Sequence, residues 1–359
     1  MLTRACDLLR QAVADGIFPG AVAQVSHRGR LLLNAACGYA DLYAAEPMGH
    51  ATVFDLASLT KPLATTLAVL KLAEDGRIAL NQSLVDVLPE YRGTSKKDIT
   101  LAQLLNHTSG LPAHRPYYER LRKLTFHQRR AALHDLLKSE PLLVSPGLQT
   151  IYSDLGFMLL HQVVDKVTEM TIDRFVHRSF YEPLGLNDLF FNHVTHSFRP
   201  APYAATEWCP WRGCLLKGQV HDDNAWVLGG VEGHAGLFGT AASVRQLLQY
   251  LMNDYLTGTS AMGLGPAMLR LLFVARKGAF RPMGFDRREP RGSSAGRYLS
   301  EASIGHLGFT GTSVWIDPEQ ALIVVLLTNR IHPCRNNERI REFRPRFHDA
   351  VAQAVSKAL

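Results

Sequence analysis

Ala57-Ser58-Leu59-Thr60-Lys61-Pro62-Leu63-Ala64-Thr65-Thr66-Leu67-Ala68-Val69-Leu70 is the stretch from which the rest of the chain is read. From Ser58 to about Asp75 apolar residues recur at helical spacing, and Gly76 ends the run. Pro62 is tolerated because a first-turn N–H has no intrahelical partner to lose. The spacing therefore predicts a helix with Ser58 at its N-terminus. Ser58 and Lys61 form the chain's only Ser-x-x-Lys. Residues three apart share a helix face, so the Lys61 amine can reach the Ser58 hydroxyl. N-terminal amides favour negative charge developing beside the serine. A serine hydroxyl is a poor nucleophile until a base takes its proton. Taken alone, the same four residues also describe an N-capping serine with a solvated lysine.

Upstream, residues 4 to 14 have helical spacing, and Ala21 to Val25 and Leu31 to Ala36 flank a turn at His27-Arg28-Gly29-Arg30, giving helix, strand, strand. Downstream, residues 100 to 260 are dominated by helical patterns at 101 to 106, 129 to 138, 155 to 168, 172 to 180 and 241 to 252. Strand signals return at 303 to 305, 311 to 317 and 321 to 328, before a last helix at 337 to 358. Strands at both ends with helices between them predict an α+β fold. Its antiparallel β-sheet is flanked by the N- and C-terminal helices, with an inserted all-helical lobe. The reading is one domain, with an α/β lobe at about 1–57 and 290–359 and a mainly helical lobe at about 58–289.

The chain of 359 residues is 47% apolar, enough for a large core. A net charge of +7 is too mild to name a partner. The basic stretch Arg276 to Arg297 lies among Gly, Ser and Pro and reads as a mobile surface loop. Arg335 to Arg346 reads as the polar face of the terminal helix, not as a nucleic-acid contact. Five cysteines, at 6, 37, 209, 214 and 334, contain no CxxC pair and no zinc spacing, so reduced thiols are the default. The N-terminal segment is interrupted by Asp7, Arg10 and Asp15 and reads as an amphipathic helix, not a signal peptide. Ala321 to Leu327, the longest strongly apolar run, is far too short to span a bilayer. These features predict a cytoplasmic protein, with the periplasm as the lesser alternative, and no membrane or nucleic-acid partner. No oligomeric state is specified.

Two later segments give the Ser-x-x-Lys its context. Ile151-Tyr152-Ser153-Asp154 follows Pro146-Gly147 and precedes a helix, and His306-Leu307-Gly308-Phe309-Thr310-Gly311 lies beside a late strand. Together with Ser58-Leu59-Thr60-Lys61, these resemble the Ser-x-x-Lys, Tyr-x-Asn and Lys-Thr-Gly elements of the class C β-lactamase family, which also contains penicillin-binding DD-peptidases and esterases. Leu104-Leu105-Asn106-His107-Thr108-Ser109-Gly110-Leu111-Pro112 and Gly76-Arg77-Ile78-Ala79-Leu80 with Leu88-Pro89-Glu90 also look like family segments. The resemblance spans about residues 10 to 330.

By that resemblance Ser58 is acylated, while Lys61 and Tyr152 share the general-base and general-acid work. The backbone N–H groups of Ser58 and Phe309 form the oxyanion hole. Asp154, His306, Gly308 and His234 line the substrate site, and no metal or cofactor is needed. Gly308 and Gly311 can also be read as turn or bulge glycines. Two residues depart from the pattern. Asp154 replaces an amide with a carboxylate that only accepts when ionised. His306 stands where a lysine is common, which at an ordinary pKa gives a weak, pH-dependent cation. Val220-His221-Asp222-Asp223-Asn224-Ala225 and Gly233-His234-Ala235-Gly236 read first as hydrogen-bonded loops and second as cleft lining, and their spacing fits no standard metal set. The resulting expectation is a serine hydrolase acting through an acyl-enzyme on a small ester or amide, most esterase-like. A DD-peptidase or β-lactamase is the nearest alternative, and a noncatalytic ligand-binding relative is an alternative of another class.

Overall fold

The computed structural model describes residues 2–196, 198–275 and 281–357. Its main sheet has seven antiparallel strands in the spatial order Glu46–Pro47, Arg30–Asp41, Gly20–His27, Leu322–Thr328, Ser313–Asp317, Ile304–Leu307 and Asp286–Arg287. Alternate side chains of a strand point to opposite faces, and here both faces are covered. Ala21, Ala23, Val25, Val324 and Leu326 pack under the helices Thr3–Ala14 and Ile340–Ser356. Phe18 meets Phe343 edge-on at 5.1 Å between ring centroids. Val22, Ile323, Val325 and Leu327 face the other way, into the larger core shared with the helical part of the chain. An antiparallel sheet between terminal helices, with a mainly helical insertion, is the α+β architecture expected from the sequence.

That insertion also holds short strands that the periodicity did not register. Phe54–Asp55, Leu237–Gly239 and Leu189–Phe191 form one three-stranded sheet, and Ala205–Cys209 pairs with Cys214–Lys217. Segments of two to five residues are too short for a period-two pattern to be seen. The helix predicted from Ser58 to Asp75 is built in three parts. A 3-10 turn, Ala57–Leu59, leads into a wider turn at Lys61–Thr65, where the Thr66 N–H reaches back to Lys61 O, and a regular α-helix follows at Thr66–Glu74.

The structure bears in part on the reading of the two basic stretches. Residues 276–280 of the first lie outside the described residues. Beyond them Arg281 pairs with Asp286, and Asp286–Arg287 adds an edge strand to the main sheet. In the second, the terminal helix starts only at Ile340. Arg335 grips Glu207 with Nε at 2.9 and 2.7 Å from the two carboxylate oxygens, and Arg344 is buried. All five cysteines are free thiols, although Cys209 and Cys214 are register partners across their hairpin. Among the described residues no helix is long and apolar enough to cross a membrane.

Candidate active site

Three chain segments converge on one cleft of about 770 Å³. The first is the turn carrying Ser58. Ala57, just before it, has φ +48°, a conformation that L side chains adopt only when the surroundings enforce it. The enforcement is visible. The buried Asp55 carboxylate accepts from Ala57 N at 2.8 Å and from His221 N at 2.6 Å. Thr310 Oγ1 donates to Asp55 O at 2.7 Å, and Thr312 Oγ1 to Leu56 O at 3.1 Å. Leu56 N donates to Leu237 O at 2.9 Å.

The second segment is Tyr152-Ser153-Asp154, at the entrance to the helix Asp154–Thr168. That helix is apolar almost all round and runs through the core, so its start is a rigid support. Ser153 caps it by accepting from Gly156 N at 3.3 Å, and donates its own hydroxyl to Pro112 O at 2.6 Å. Ser153 N donates to His107 Nδ1 at 3.0 Å, and Asp154 N to Ala113 O at 2.9 Å. The loop from His107 to Ala113 therefore clasps this entrance. The His107 ring stacks on Tyr152 with centroids 4.5 Å apart. Burial, reinforced by the nearby Lys61 charge, drives the His107 pKa well below the ordinary imidazole value, so the ring is neutral and free to accept at Nδ1.

The third segment is the strand end His306-Leu307-Gly308-Phe309. Gly308 is required by close approach. A Cβ there would lie 2.0 Å from Thr312 Oγ1 and 2.6 Å from Leu56 O, so no side chain fits between this strand and the nucleophile turn. Phe309 is half exposed, with its ring stacked over His221 at 5.5 Å.

Lys61 joins the segments. Its fully buried ammonium donates to Ser58 Oγ at 3.0 Å and to His234 O at 3.1 Å, and lies 2.7 Å from Asp154 Oδ1. Burial opposes the charged form, but Asp154 outweighs it, and the Lys61 pKa is held above the ordinary lysine value. Asp154 is largely enclosed, which opposes its charged form, yet Lys61 and the hydrogen bond with His114, at 3.3 Å, hold its carboxyl below the usual range. Burial pushes the Tyr152 phenol up, and Asp154 adds to the rise against the lowering effect of Lys61. The resting pattern is ammonium, carboxylate and phenol around one hydroxyl. In this form neither Lys61 nor Tyr152 is basic, so the pair has to give up one proton before it can accept that of Ser58.

His306 is not the weak, pH-dependent cation that an ordinary pKa would give. It is 2% exposed, and burial takes its pKa to about 4, so it is neutral throughout the neutral range. Its Nδ1 faces Leu307 O at 2.9 Å, and its Nε2 is without a hydrogen-bond partner among the described residues. His234 lies beside the nucleophile, with Nε2 2.9 Å from Asp222 Oδ1, and Asp222 also caps the helix Asp223–Val227 by accepting from Ala225 N at 2.7 Å. His221 lies 3.1 Å from Glu207. These three residues are thus both loop hydrogen-bonding groups and cleft lining. Among the described residues no group of three His, Cys, Asp or Glu side chains is arranged to hold a metal ion.

Of the residues anticipated from the sequence, Ser58, Tyr152, Asp154, His234, His306, Gly308 and Phe309 line this cleft, Lys61 lies beneath it against Ser58, and the structure adds others. His107 lay inside a segment already singled out. Asp55 gave no local signal, because its role depends on His221, 166 positions away. His114 and Arg281 were equally silent, and Arg281 lies with its guanidinium 5.8 Å from the Tyr152 ring centre.

The Beta-lactamase family profile matches residues 6–344. A protein of Salmonella agona named "Putative D-alanyl-D-alanine carboxypeptidase" is 31% identical over 348 residues, an alignment covering 89% of this chain and 80% of that protein. Among solved structures, EstCE1, described as a hydrolase with promiscuous acyltransferase activity, superposes with a TM-score of 0.75 at 24% identity, covering 98% of both chains. A variant of simvastatin synthase from Aspergillus terreus does so with a TM-score of 0.74 at 20% identity, covering 99% of this chain and 97% of that one. At these identities the two superpositions show the shared fold. With the profile spanning nearly the whole chain, this protein belongs to the Beta-lactamase family and is one of its serine-hydrolase enzymes.

Proposed function

We propose that this enzyme hydrolyses small, uncharged acyl esters through an acyl-enzyme on Ser58. In this scheme the Lys61–Tyr152 pair, once it has released one proton to solvent, takes the Ser58 hydroxyl proton as the Ser58 oxygen attacks the ester carbonyl. The N–H groups of Ser58 and Phe309 receive the negative oxygen of the tetrahedral intermediate, and the same pair returns the proton to the departing alcohol. Water repeats the sequence in reverse to release the acid. The observation that carries the reading is the Lys61 ammonium, 3.0 Å from Ser58 Oγ and wholly enclosed. The preference for uncharged substrates is supported by the neutral His306 and by Arg281, whose charge is balanced by Asp286.

The second reading is cleavage of a D-alanyl-D-alanine terminus, favoured by the name the Salmonella relatives carry and by Arg341 and Arg344 in the cleft wall. Comparing kcat/KM for a p-nitrophenyl ester, a D-alanyl-D-alanine peptide and a chromogenic cephalosporin decides between them. The ester is expected to be turned over best, and a peptide or cephalosporin preference would replace the first reading by the second.

A further inference from the structure

The loop that presents the Phe309 amide is held from behind by two arginines. Arg344 Nη2 donates to Thr312 O at 2.8 Å and more weakly to Gly308 O at 3.4 Å. Arg330 donates to Phe309 O through Nε at 3.0 Å and Nη2 at 2.8 Å, while its Nη1 reaches Arg335 O at 3.0 Å and Asn337 O at 2.8 Å. Both side chains are at least nine-tenths buried and line the cleft. Neither forms an ion pair with a carboxylate among the described residues, and the charges that bear on Arg344 are those of Arg330 and Arg341, of its own sign. Burial and these neighbours bring its pKa down to about 9, which leaves it cationic at neutral pH. Arg344 Nε has no hydrogen-bond partner among the described residues.

Arg330 feels the Glu338 carboxylate without pairing with it, whereas Arg344 has no opposing charge acting on it among the described residues, and such a buried cation is costly unless a negative charge arrives. We propose that Arg344 and Arg330 are positioning residues for the oxyanion hole, acting through the peptide groups on either side of the Phe309 N–H. The inference rests on the acyl-enzyme reading of Ser58. The N–H of Phe309 belongs to the same peptide unit as Gly308 O. A cation drawing on that oxygen polarises the amide and makes its N–H a stronger donor. Arg330, fixed on Phe309 O, sets the orientation of the following peptide and so the direction of the N–H. Phe309 N itself has no acceptor among the described residues, whereas Gly308 N is committed to Thr312 O at 2.7 Å. Donor strength and direction fixed before reaction act on the charge that develops only in the transition state.

The test uses Arg344→Met, Arg344→Lys and Arg330→Gln in the full chain, with a neutral p-nitrophenyl ester and its analogue carrying an acyl-chain carboxylate. The proposal expects kcat to fall about tenfold or more on both esters while KM stays nearly unchanged. Affinity for a boronic acid that forms a tetrahedral adduct should fall in step with kcat/KM. The carbonyl stretch of the acyl-enzyme should move to higher wavenumber, and Arg344→Lys should recover part of each effect. Should Arg344→Met not fold, Arg330→Gln carries the same measurements. A folded variant with unchanged kcat and carbonyl stretch, or a loss confined to the carboxylate-bearing ester, would overturn the proposal. Phosphonate labelling of the same variants keeps the underlying reading separate. A label on Ser58 with an unchanged carbonyl stretch defeats this inference alone, and a label elsewhere defeats the acyl-enzyme reading itself.

Discussion

Lys61 Nζ and Asp154 Oδ1 lie 2.7 Å apart, so the lysine that touches the candidate nucleophile is paired with a carboxylate. The pairing has a definite sign. A negative charge at 154 raises the Lys61 pKa and raises that of Tyr152. Both groups are therefore kept in their protonated, non-basic forms to a higher pH. Activity should rise with pH as the Lys61–Tyr152 pair gives up a proton. Asp154→Asn removes the carboxylate, so both pKa values fall and the rising limb of kcat/KM against pH should move to lower pH. A limb that stays in place, or moves up, contradicts this account of the pair.

Lys61→Ala and Tyr152→Phe should each slow acylation about a hundredfold or more, the usual loss when a positioned proton-transfer group is removed. Stopped-flow measurement of the acylation burst checks this, with circular dichroism to establish folding. Near-wild-type acylation in either folded variant removes that residue from the mechanism.

His306 makes a prediction about what does not change. With burial holding its pKa at about 4, the imidazole stays neutral from pH 6 to 8.5, and the preference for a neutral ester over a cephalosporin should not drift through its titration in that range. His306→Lys places a permanent cation there and should shift the ratio of kcat/KM values toward the carboxylate-bearing substrate by roughly tenfold. The two ratios measured across that pH range provide the check. A wild-type ratio that titrates near pH 6.5 would mean the ring is solvated and not buried.

Gly308→Ala should cost about 1–3 kcal/mol of stability, because the added methyl would meet Thr312 Oγ1 and the Leu56 carbonyl. Urea unfolding gives the number. Activity should fall further than stability, since the displaced strand carries the Phe309 amide away from the nucleophile turn. Gly311, also in this loop, has φ +114° and lies against Thr328, so the loop has little freedom to absorb the methyl.

What could be read from the sequence was what acts locally. Ser58 and Lys61 lie on one face of one turn, and their contact follows from spacing. The long apolar strand Leu322–Thr328 and the helices at either terminus are periodic enough to announce themselves. The short strands Phe54–Asp55 and Leu237–Gly239 exist because they pair with each other across the fold, and two or three residues carry no period. The titration of His306 near neutrality was not to be expected once the ring is enclosed, because an ordinary pKa presumes solvent, and that enclosure depends on neighbours distant in the chain. Asp55, Arg330 and Arg344 were silent for the same reason: each grips backbone groups tens to hundreds of residues away. The terminal arginines had looked like a helix's polar face, yet Arg344 turns inward.

The central claim is that Ser58 is the residue acylated, and intact-mass analysis after reaction with a fluorophosphonate tests it most directly. The account predicts a single adduct that maps to the peptide containing Ser58, forms more slowly in Lys61→Ala, and is absent from folded Ser58→Ala. Stoichiometric labelling that persists in Ser58→Ala, or that maps to another residue in the native enzyme, would contradict it.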